Sequence, residues 1–261
     1  MLAATILAGG DPLSSSAGSA LLAMTLFYVG GMYLNDAFDR EIDRRERPGR
    51  PIPAGLVSAG TGLASGLAML AAGIVVMALR GAAPALMGLV LAAAIVAYDL
   101  RHKGNPVSPV LMGVCRMLVY TGTATMVAGR VSGPVFAAGV AVLAHTAGLT
   151  YAAKQESLDR IGRLWPLAVL AAPLVLAAAD LAAGPVPAVS WAALLAADAL
   201  AIELLRRRTL PGAVPRAVGA LIAALSLVDA VLVAPLAPVA AAFCWAGYGL
   251  TRVFQRFIPG T

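Results

Sequence analysis

The stretch of the sequence with the greatest capacity for chemistry runs from Asn35 to Pro53. It holds five of the chain's 13 acidic residues and five of its 19 basic residues. The sequence on either side of it is almost entirely apolar. A dense group of charges between apolar runs indicates either a reactive loop or a topological signal.

The acidic residues of this stretch follow a helical spacing. Asp36, Asp39 and Asp43 are three and four residues apart, so on a helix they share one face, with Asn35 at its edge. Carboxylates arranged in this way repel one another unless a cation neutralises them. Hard oxygen ligands favour Mg²⁺, which typically binds one or two carboxylates together with a substrate phosphate. The spacing therefore predicts a magnesium site.

The basic residues of the stretch come where the helix should end. Arg47 and Arg50 precede Pro51 and Pro53, which cannot continue a helix. A solvated loop whose arginines set the membrane topology is the alternative interpretation. It accounts for the arginines but poorly for three aspartates on one face.

The whole pattern resembles the first aspartate-rich motif of the UbiA superfamily of intramembrane prenyltransferases. The motif is Asn-Asp-x-x-Asp-x-x-x-Asp followed by Arg-Pro-x-x-Arg-Pro-x-Pro, and this chain carries it from residue 35 to residue 53. The resemblance implies an all-α polytopic bundle of about nine transmembrane helices. It also implies Mg²⁺-dependent transfer of an isoprenyl group from an isoprenyl diphosphate to a lipophilic, often aromatic, acceptor within the membrane.

The resemblance also implies roles for individual residues. The Mg²⁺ ligands in the first motif would be Asn35, Asp36, Asp39 and Asp43. The catalytic residues would be these three aspartates together with the cations that neutralise the leaving diphosphate, Arg50, Lys103 and Lys154. The further substrate-binding residues would be Asn35, Arg47, Tyr98, Arg116, Tyr120 and Tyr151.

Two later segments occupy the positions of other family motifs. Tyr98–Lys103 closes an apolar span and resembles the family's Tyr…Lys segment, in which the lysine meets diphosphate oxygens; a plain topology anchor is the alternative. Tyr151–Arg160 stands in the place of the second aspartate-rich motif but offers only Glu156 and Asp159 as acids. Two acids hold a metal more weakly than several, so we expect Glu156 and Asp159 to form the weaker of two metal sites. The shortened motif, together with the sequence around Arg116, resembles the EboC-like branch of the superfamily.

One charged residue lies well inside an apolar span. Arg116 is about ten residues into the span 107–128, and a charge at that depth normally faces a cavity or a partner. The resemblance implies a cavity residue that reaches the diphosphate or a polar acceptor. The alternative is a buried pair with Asp198 or Asp229. His145, alone in its span, is more typical of a hydrogen-bonded packing residue than of a metal ligand.

The composition predicts the elements that must position these residues. The 261 residues are 60% hydrophobic and 12% charged, about half the charge of a soluble domain. The two cysteines, Cys115 and Cys244, are too few and too far apart for a disulfide framework. We expect one membrane domain, 1–261. Its nine apolar spans are roughly 16–34, 56–79, 82–98, 107–128, 133–152, 164–182, 187–205, 213–233 and 235–251.

The basic residues predict the orientation. Most of the 19 Lys and Arg residues fall in alternate loops on the side of the Asn35–Pro53 stretch, while Arg80 and Arg130 lie on the other side. The positive-inside rule therefore predicts that the site loops face the cytoplasm, in an inner or cytoplasmic membrane. Charges placed between apolar runs also argue against a nucleic-acid partner and leave membrane lipids, a prenyl donor and a lipophilic acceptor as the expected partners.

The first eight residues are apolar but too few to cross a bilayer. We expect them to be the remnant of a truncated helix, packed against the span 16–34. Two rival function classes remain at this stage, a lipid transporter and a non-catalytic relative that binds a prenyl lipid. Polar residues concentrated in loops rather than at the bilayer midplane argue against the transporter.

Overall fold

A computed structural model describes residues 1–101, 105–154, 164–207 and 212–257. Eleven α-helices are described in these ranges. They are α1 (Leu2–Leu7), α2 (Ser15–Phe38), α3 (Arg40–Glu46), α4 (Ala59–Ala78), α5 (Ala82–Arg101), α6 (Ser108–Ala128), α7 (Gly133–Ala153), α8 (Ala172–Leu176), α9 (Pro185–Arg206), α10 (Ala213–Val233) and α11 (Pro238–Phe254). The 3₁₀ helices Trp165–Ala171 and Ala178–Ala183 flank α8.

The predicted all-helical membrane bundle is confirmed. Eight segments in the described ranges are long and apolar enough to cross a membrane: α2, α4, α5, α6, α7, Trp165–Ala183, α9 and α10. The ninth predicted span corresponds to α11, which has 17 residues. At a rise of 1.5 Å per residue it is about 25 Å long, somewhat short of a hydrocarbon core of about 30 Å. The chain is therefore an integral multi-pass membrane protein.

The segment Trp165–Ala183 differs from the single apolar helix that its hydropathy suggests. It is a 3₁₀ helix, the short α8 and a second 3₁₀ helix. Pro166 and Pro173 lie within it, and neither supplies a backbone N–H for helical hydrogen bonding. The interruption leaves an irregular surface against α9, where a groove is found.

Local sequence signals set several helix ends on both sides of the bundle. The hydroxyl of Ser14 accepts from the backbone N–H of Ala17 at the start of α2, and that of Ser58 accepts from Thr61 at the start of α4. Gly129 ends α6 in the left-handed conformation, with φ of 70°.

Small residues let α2 and α4 approach closely. A Cβ built on Gly66 would lie 2.7 Å from Leu34 and 2.9 Å from the backbone oxygen of Gly30. Close contact through small residues is the usual basis of helix association in lipid, where apolar burial drives little. Since α2 carries the acidic residues near its end, this contact fixes one wall of the site.

The short helix α1 lies inside the bundle. Ala3 and Ala4 are fully buried, and α1 packs against α6, α7 and α10. The expected stub is therefore helical, but its main neighbours are these three helices rather than the span 16–34. The core around α1 is continuous with α9 and α11.

Candidate functional site

The acidic stripe is built at the junction of α2 and α3. The helix α2 ends at Phe38, and Asp39 links it to α3. The N–H of Asp39 donates to the oxygen of Asn35 at 2.9 Å, and the N–H of Asp43 donates to the oxygen of Asp39 at 2.9 Å. Helical hydrogen bonding therefore passes through the junction and keeps Asn35, Asp39 and Asp43 on successive turns, as the spacing predicts.

Arg50 joins two of the aspartates. Its Nη1 donates to Asp36 Oδ1 at 3.0 Å and to Asp43 Oδ2 at 2.8 Å. Asp43 is only 2% exposed, and this half-buried guanidinium is the positive charge next to it. The loop after α3 thus folds back and places the second arginine of the motif over the carboxylates. Arg47, in contrast, caps the end of α3 and is exposed.

A fourth carboxylate comes from α5. Asp99 is 6% exposed, and its Oδ1 accepts a hydrogen bond from Asn35 Nδ2 at 3.3 Å. Tyr98, half-buried beside it, lies in the electrostatic range of both Asp39 and Asp99. From the sequence, Asp99 is a candidate to orient Lys103 or to join the polar mouth of the site. Its signal was an acidic residue directly after Tyr98 at the end of an apolar span.

Lys154 ties the end of α7 to the loop before α6. Its Nζ donates to the backbone oxygen of Asn105 and to the Ser108 hydroxyl, the latter at 2.8 Å. Burial lowers the pKa of the Lys154 ammonium. Tyr151, one turn earlier, is half-buried. The expected diphosphate contact of Lys154 remains a prediction, as do the roles of Lys103, Glu156 and Asp159, which lie outside the described residues.

The polar residues deeper in the bundle pair with one another. Asp198 lies 3.1 Å from His145 Nε2, and Asp229 accepts from the hydroxyl of Tyr120. Neither aspartate pairs with Arg116, so the alternative interpretation, a buried pair of Arg116 with Asp198 or Asp229, is wrong. In the described part of the chain, half-buried Arg116 has no hydrogen bond or ion pair.

The set of oxygens fits a magnesium site that a substrate completes. No three His, Cys, Asp or Glu side chains in the described ranges are grouped to hold a metal by themselves. Asp36 and Asp43 lie on either side of one guanidinium nitrogen, and Asn35 is held by Asp99. Mg²⁺ commonly takes one or two carboxylates and fills its shell with water and phosphate oxygens, which matches this arrangement. The Mg²⁺ ligand set predicted from the sequence stays a prediction.

Comparison with known proteins gives a consistent set of relatives. They include three proteins from different organisms that are named digeranylgeranylglyceryl phosphate synthase. That of Metallosphaera sedula is 37% identical over 87 residues, 33% of this chain and 31% of the relative. That of Natronomonas pharaonis is 34% identical over 147 residues, which are 56% of this chain and 51% of the relative. That of Halobacterium salinarum is 36% identical over 166 residues, which are 60% of this chain and 55% of the relative. The matched part thus spans about a third to just over a half of these relatives.

Solved structures share the fold. The apo structure of a UbiA homolog from Aeropyrum pernix K1 superposes with a TM-score of 0.72 at 21% identity, over 89% of this chain and 94% of that one. A structure described as giving insights into the biosynthesis of digeranylgeranylglyceryl phosphate synthase in membranes superposes with a TM-score of 0.65 at 15% identity, over 90% of each chain. At these identities the likeness concerns the fold alone.

The family model named UbiA prenyltransferase family matches residues 1–210. This range includes the acidic stripe, Arg50, Asp99 and Lys154, and it covers most of the 261 residues. The chain therefore belongs to the UbiA prenyltransferase family.

Proposed function

We propose that this protein transfers an isoprenyl group from an isoprenyl diphosphate to a lipophilic acceptor, at the end of the bundle where α2, α3 and α5 meet. The observation that carries the proposal is the Arg50 bridge between Asp36 and Asp43, beside buried Asp39 and Asp99. Opposite charges held at the end of an apolar bundle suit a ligand with a diphosphate head and a hydrocarbon tail. By the positive-inside rule, this end faces the cytoplasm.

The acidic residues and Arg50 would divide the work on the donor. Asp36, Asp39 and Asp43, with Asn35, would hold Mg²⁺, which supplies positive charge to the diphosphate oxygens when bound. Arg50 can turn one of its other N–H donors toward the diphosphate while its Nη1 continues to bridge Asp36 and Asp43. Lys154 and Lys103 would add positive charge to the same head group. The C–O bond of the donor breaks with its electron pair on the diphosphate, which leaves an allylic cation.

The apolar helices would protect that cation. Water quenches an allylic cation, so the tail and the reacting carbon must lie among apolar side chains. The acceptor oxygen then forms the new bond to carbon, and its proton passes to the released diphosphate. Asp99 would keep Asn35 turned toward the site through the 3.3 Å hydrogen bond.

The names of the relatives favour one acceptor class. A digeranylgeranylglyceryl phosphate contains isoprenoid chains and a glyceryl phosphate, so we propose a phosphate-bearing glyceryl lipid ahead of an aromatic acceptor. Half-buried Arg116 suits the acceptor phosphate, because a guanidinium binds phosphate through paired hydrogen bonds. Tyr98, Tyr120, Tyr151 and Arg47 remain the other proposed substrate-binding residues.

Product identification tests the reaction. Purified protein in lipid nanodiscs would be incubated with radiolabelled geranylgeranyl diphosphate, Mg²⁺ and either geranylgeranylglyceryl phosphate or 4-hydroxybenzoate. The expected result is Mg²⁺-dependent diphosphate release with label in the glyceryl lipid, and loss of both in Asp36→Asn. Donor binding without release of diphosphate would instead favour the non-catalytic lipid-binding function. Label in the aromatic compound alone would overturn the glyceryl acceptor.

A further inference from the structure

A cavity lies away from the acidic stripe, between the segment Trp165–Ala183 and α9. It has a volume of about 260 Å³. One wall consists of Leu164, the 3₁₀ helix that follows it and α8, and it includes Trp165 and Leu174. The other wall is α9, which includes Leu195 and Ala199. We call it the α9 groove. Trp165 is 72% exposed and Leu195 is 44% exposed, so the groove opens on the outer face of membrane-spanning segments.

One charged residue lines this apolar groove. Asp198 is 4% exposed and lies on α9 between Leu195 and Ile202, which also line the groove. Behind it, fully buried His145 on α7 meets Asp198 Oδ1 through Nε2 at 3.1 Å. An ionisable pair within membrane-spanning helices is costly and usually marks a ligand or proton path.

The pair retains capacity for hydrogen bonding. In the described part of the chain, Asp198 Oδ2 and His145 Nδ1 are buried and have no hydrogen-bond partner. A buried polar atom left in this state lowers stability unless something supplies the missing hydrogen bond. The side chain that lines the groove is therefore one that a bound donor group would stabilise.

The chemistry of the groove walls indicates which kind of hydrogen-bond donor would bind there. Among the described residues, those that line the groove are apolar apart from Asp198, and none of them is Lys or Arg. A phosphate or carboxylate head would meet the Asp198 charge without compensation, so anionic lipids fit poorly. A hydroxyl can donate one hydrogen bond to Asp198, and its hydrocarbon chain can lie along the groove. From Leu195 to Ile202, α9 rises about 10 Å, enough for the first part of such a chain.

We propose that the α9 groove is a binding site for a long-chain lipid alcohol, whose hydroxyl donates to Asp198. The site shares no residue with the acidic stripe and does not depend on the proposed transferase reaction. Its position, open to lipid and backed by the His145–Asp198 pair, admits a ligand directly from the bilayer.

Quenching of tryptophan fluorescence tests this site. The probes are a brominated twelve-carbon alcohol and its methyl ether, which has the same chain but cannot donate a hydrogen bond. Because Trp165 lines the groove, the alcohol should quench its emission saturably in nanodiscs, at a concentration about tenfold below that of the ether. Trp165→Phe should remove the saturable component, since Trp191 and Trp245 do not line the groove.

Variants on α9 provide matched controls. Ala199→Phe should fill the α9 groove and abolish saturable quenching. Ala196 lines a different groove, which Trp245 also lines. Ala196→Phe is therefore an equivalent change that should leave quenching by the alcohol unchanged. Asp198→Leu should make the alcohol and the ether equal. If Asp198→Leu does not fold, the comparison of the alcohol with the ether on the parent protein still tests the hydrogen bond to Asp198. Equal quenching by both probes, or saturable quenching that survives Ala199→Phe, would overturn the proposal.

Discussion

In the proposed function, Arg50 would combine a structural role and a catalytic role in one side chain. It neutralises Asp43, which is almost completely buried. Its own positive charge lies where the diphosphate of the proposed substrate would approach. A buried carboxylate that loses its counter-ion destabilises the folded state, while a missing donor at a site of developing charge slows the reaction. These two effects can be separated by mutation.

Arg50→Ala should reduce kcat/KM by about a hundredfold and lower the free energy of unfolding by about 1–3 kcal/mol. The double variant Asp43→Asn with Arg50→Ala should recover thermal stability but not activity, because the buried charge is gone while both the Arg50 cation and the proposed Mg²⁺ ligand Asp43 are missing. Prenyl transfer rates and melting temperatures in detergent check both effects.

Arg44→Ala provides the control for this pair. Arg44 contacts Glu41 at 3.1 Å, and both side chains are exposed, so the ion pair contributes little. Melting temperature and turnover should stay near those of the parent protein. Recovery of activity in the double variant would show that Arg50 serves the fold and not the reaction.

The two acidic stretches should differ in their dependence on metal. Asp39→Ala removes a carboxylate from the middle of the first stripe and should abolish turnover at any practical Mg²⁺ concentration. Asp159→Ala, in the stretch with only two acids, should chiefly raise the Mg²⁺ requirement, because a metal with few protein ligands relies on water and phosphate oxygens. A Mg²⁺ titration of kcat/KM checks this ranking. Rescue of Asp39→Ala by metal, with Asp159→Ala inactive, would place the principal site in the other loop.

At the scale of elements, the position of α2 against α4 determines where the acidic stripe lies. The two helices touch through backbone at Gly30 and Gly66, where a side chain has no room. A shift of α2 would move Asn35 away from Asp99 on α5, because their hydrogen bond is already 3.3 Å long. The helix contact and the site are therefore linked.

Gly66→Ala should lower the free energy of unfolding by about 1–3 kcal/mol, because its Cβ would meet the Gly30 backbone oxygen and Leu34. Gly60→Ala is the control on the same helix, since its nearest contact is the Ser58 hydroxyl at 3.7 Å. Thermal unfolding of the two variants in detergent makes the comparison. If Gly66→Ala were as stable as Gly60→Ala, close backbone contact would not hold α2 and α4 together.

The sequence predicted the parts of the site that lie close together along the chain. The spacing of Asp36, Asp39 and Asp43 was enough to place them on one helical stripe, and apolar runs located the spans. Contacts between distant segments were beyond such reasoning. The partner of Asn35 is Asp99, 64 residues away, and that of His145 is Asp198, 53 residues away. Only the packing of the helices brings these side chains together.

At the scale of the whole molecule, helix ends that carry the proposed site meet on one side. The ends of α2 and α5 are joined by Asn35 and Asp99, and Lys154 at the end of α7 reaches the start of α6. The guanidinium of Arg80 donates to the hydroxyls of Ser16 and Ser19. These residues lie at the start of α2 and just after the end of α4, on the side of the bundle opposite the proposed site. The charge census then predicts which side is cytoplasmic, because lysine and arginine concentrate at the ends near the site.

Labelling of single cysteines tests that orientation. In a background with Cys115 and Cys244 replaced by serine, Gly49→Cys lies in the loop after α3 and Gly133→Cys lies at the start of α7, at the other end of the bundle. Both glycines have open space where a side chain would be added, so neither change should strain the fold. A membrane-impermeant maleimide added to intact spheroplasts should label only Gly133→Cys, and in inverted vesicles it should label only Gly49→Cys. The reverse pattern would place the acidic stripe outside the cell, where a donor made in the cytoplasm could not reach Asp36 and Arg50 without first crossing the membrane.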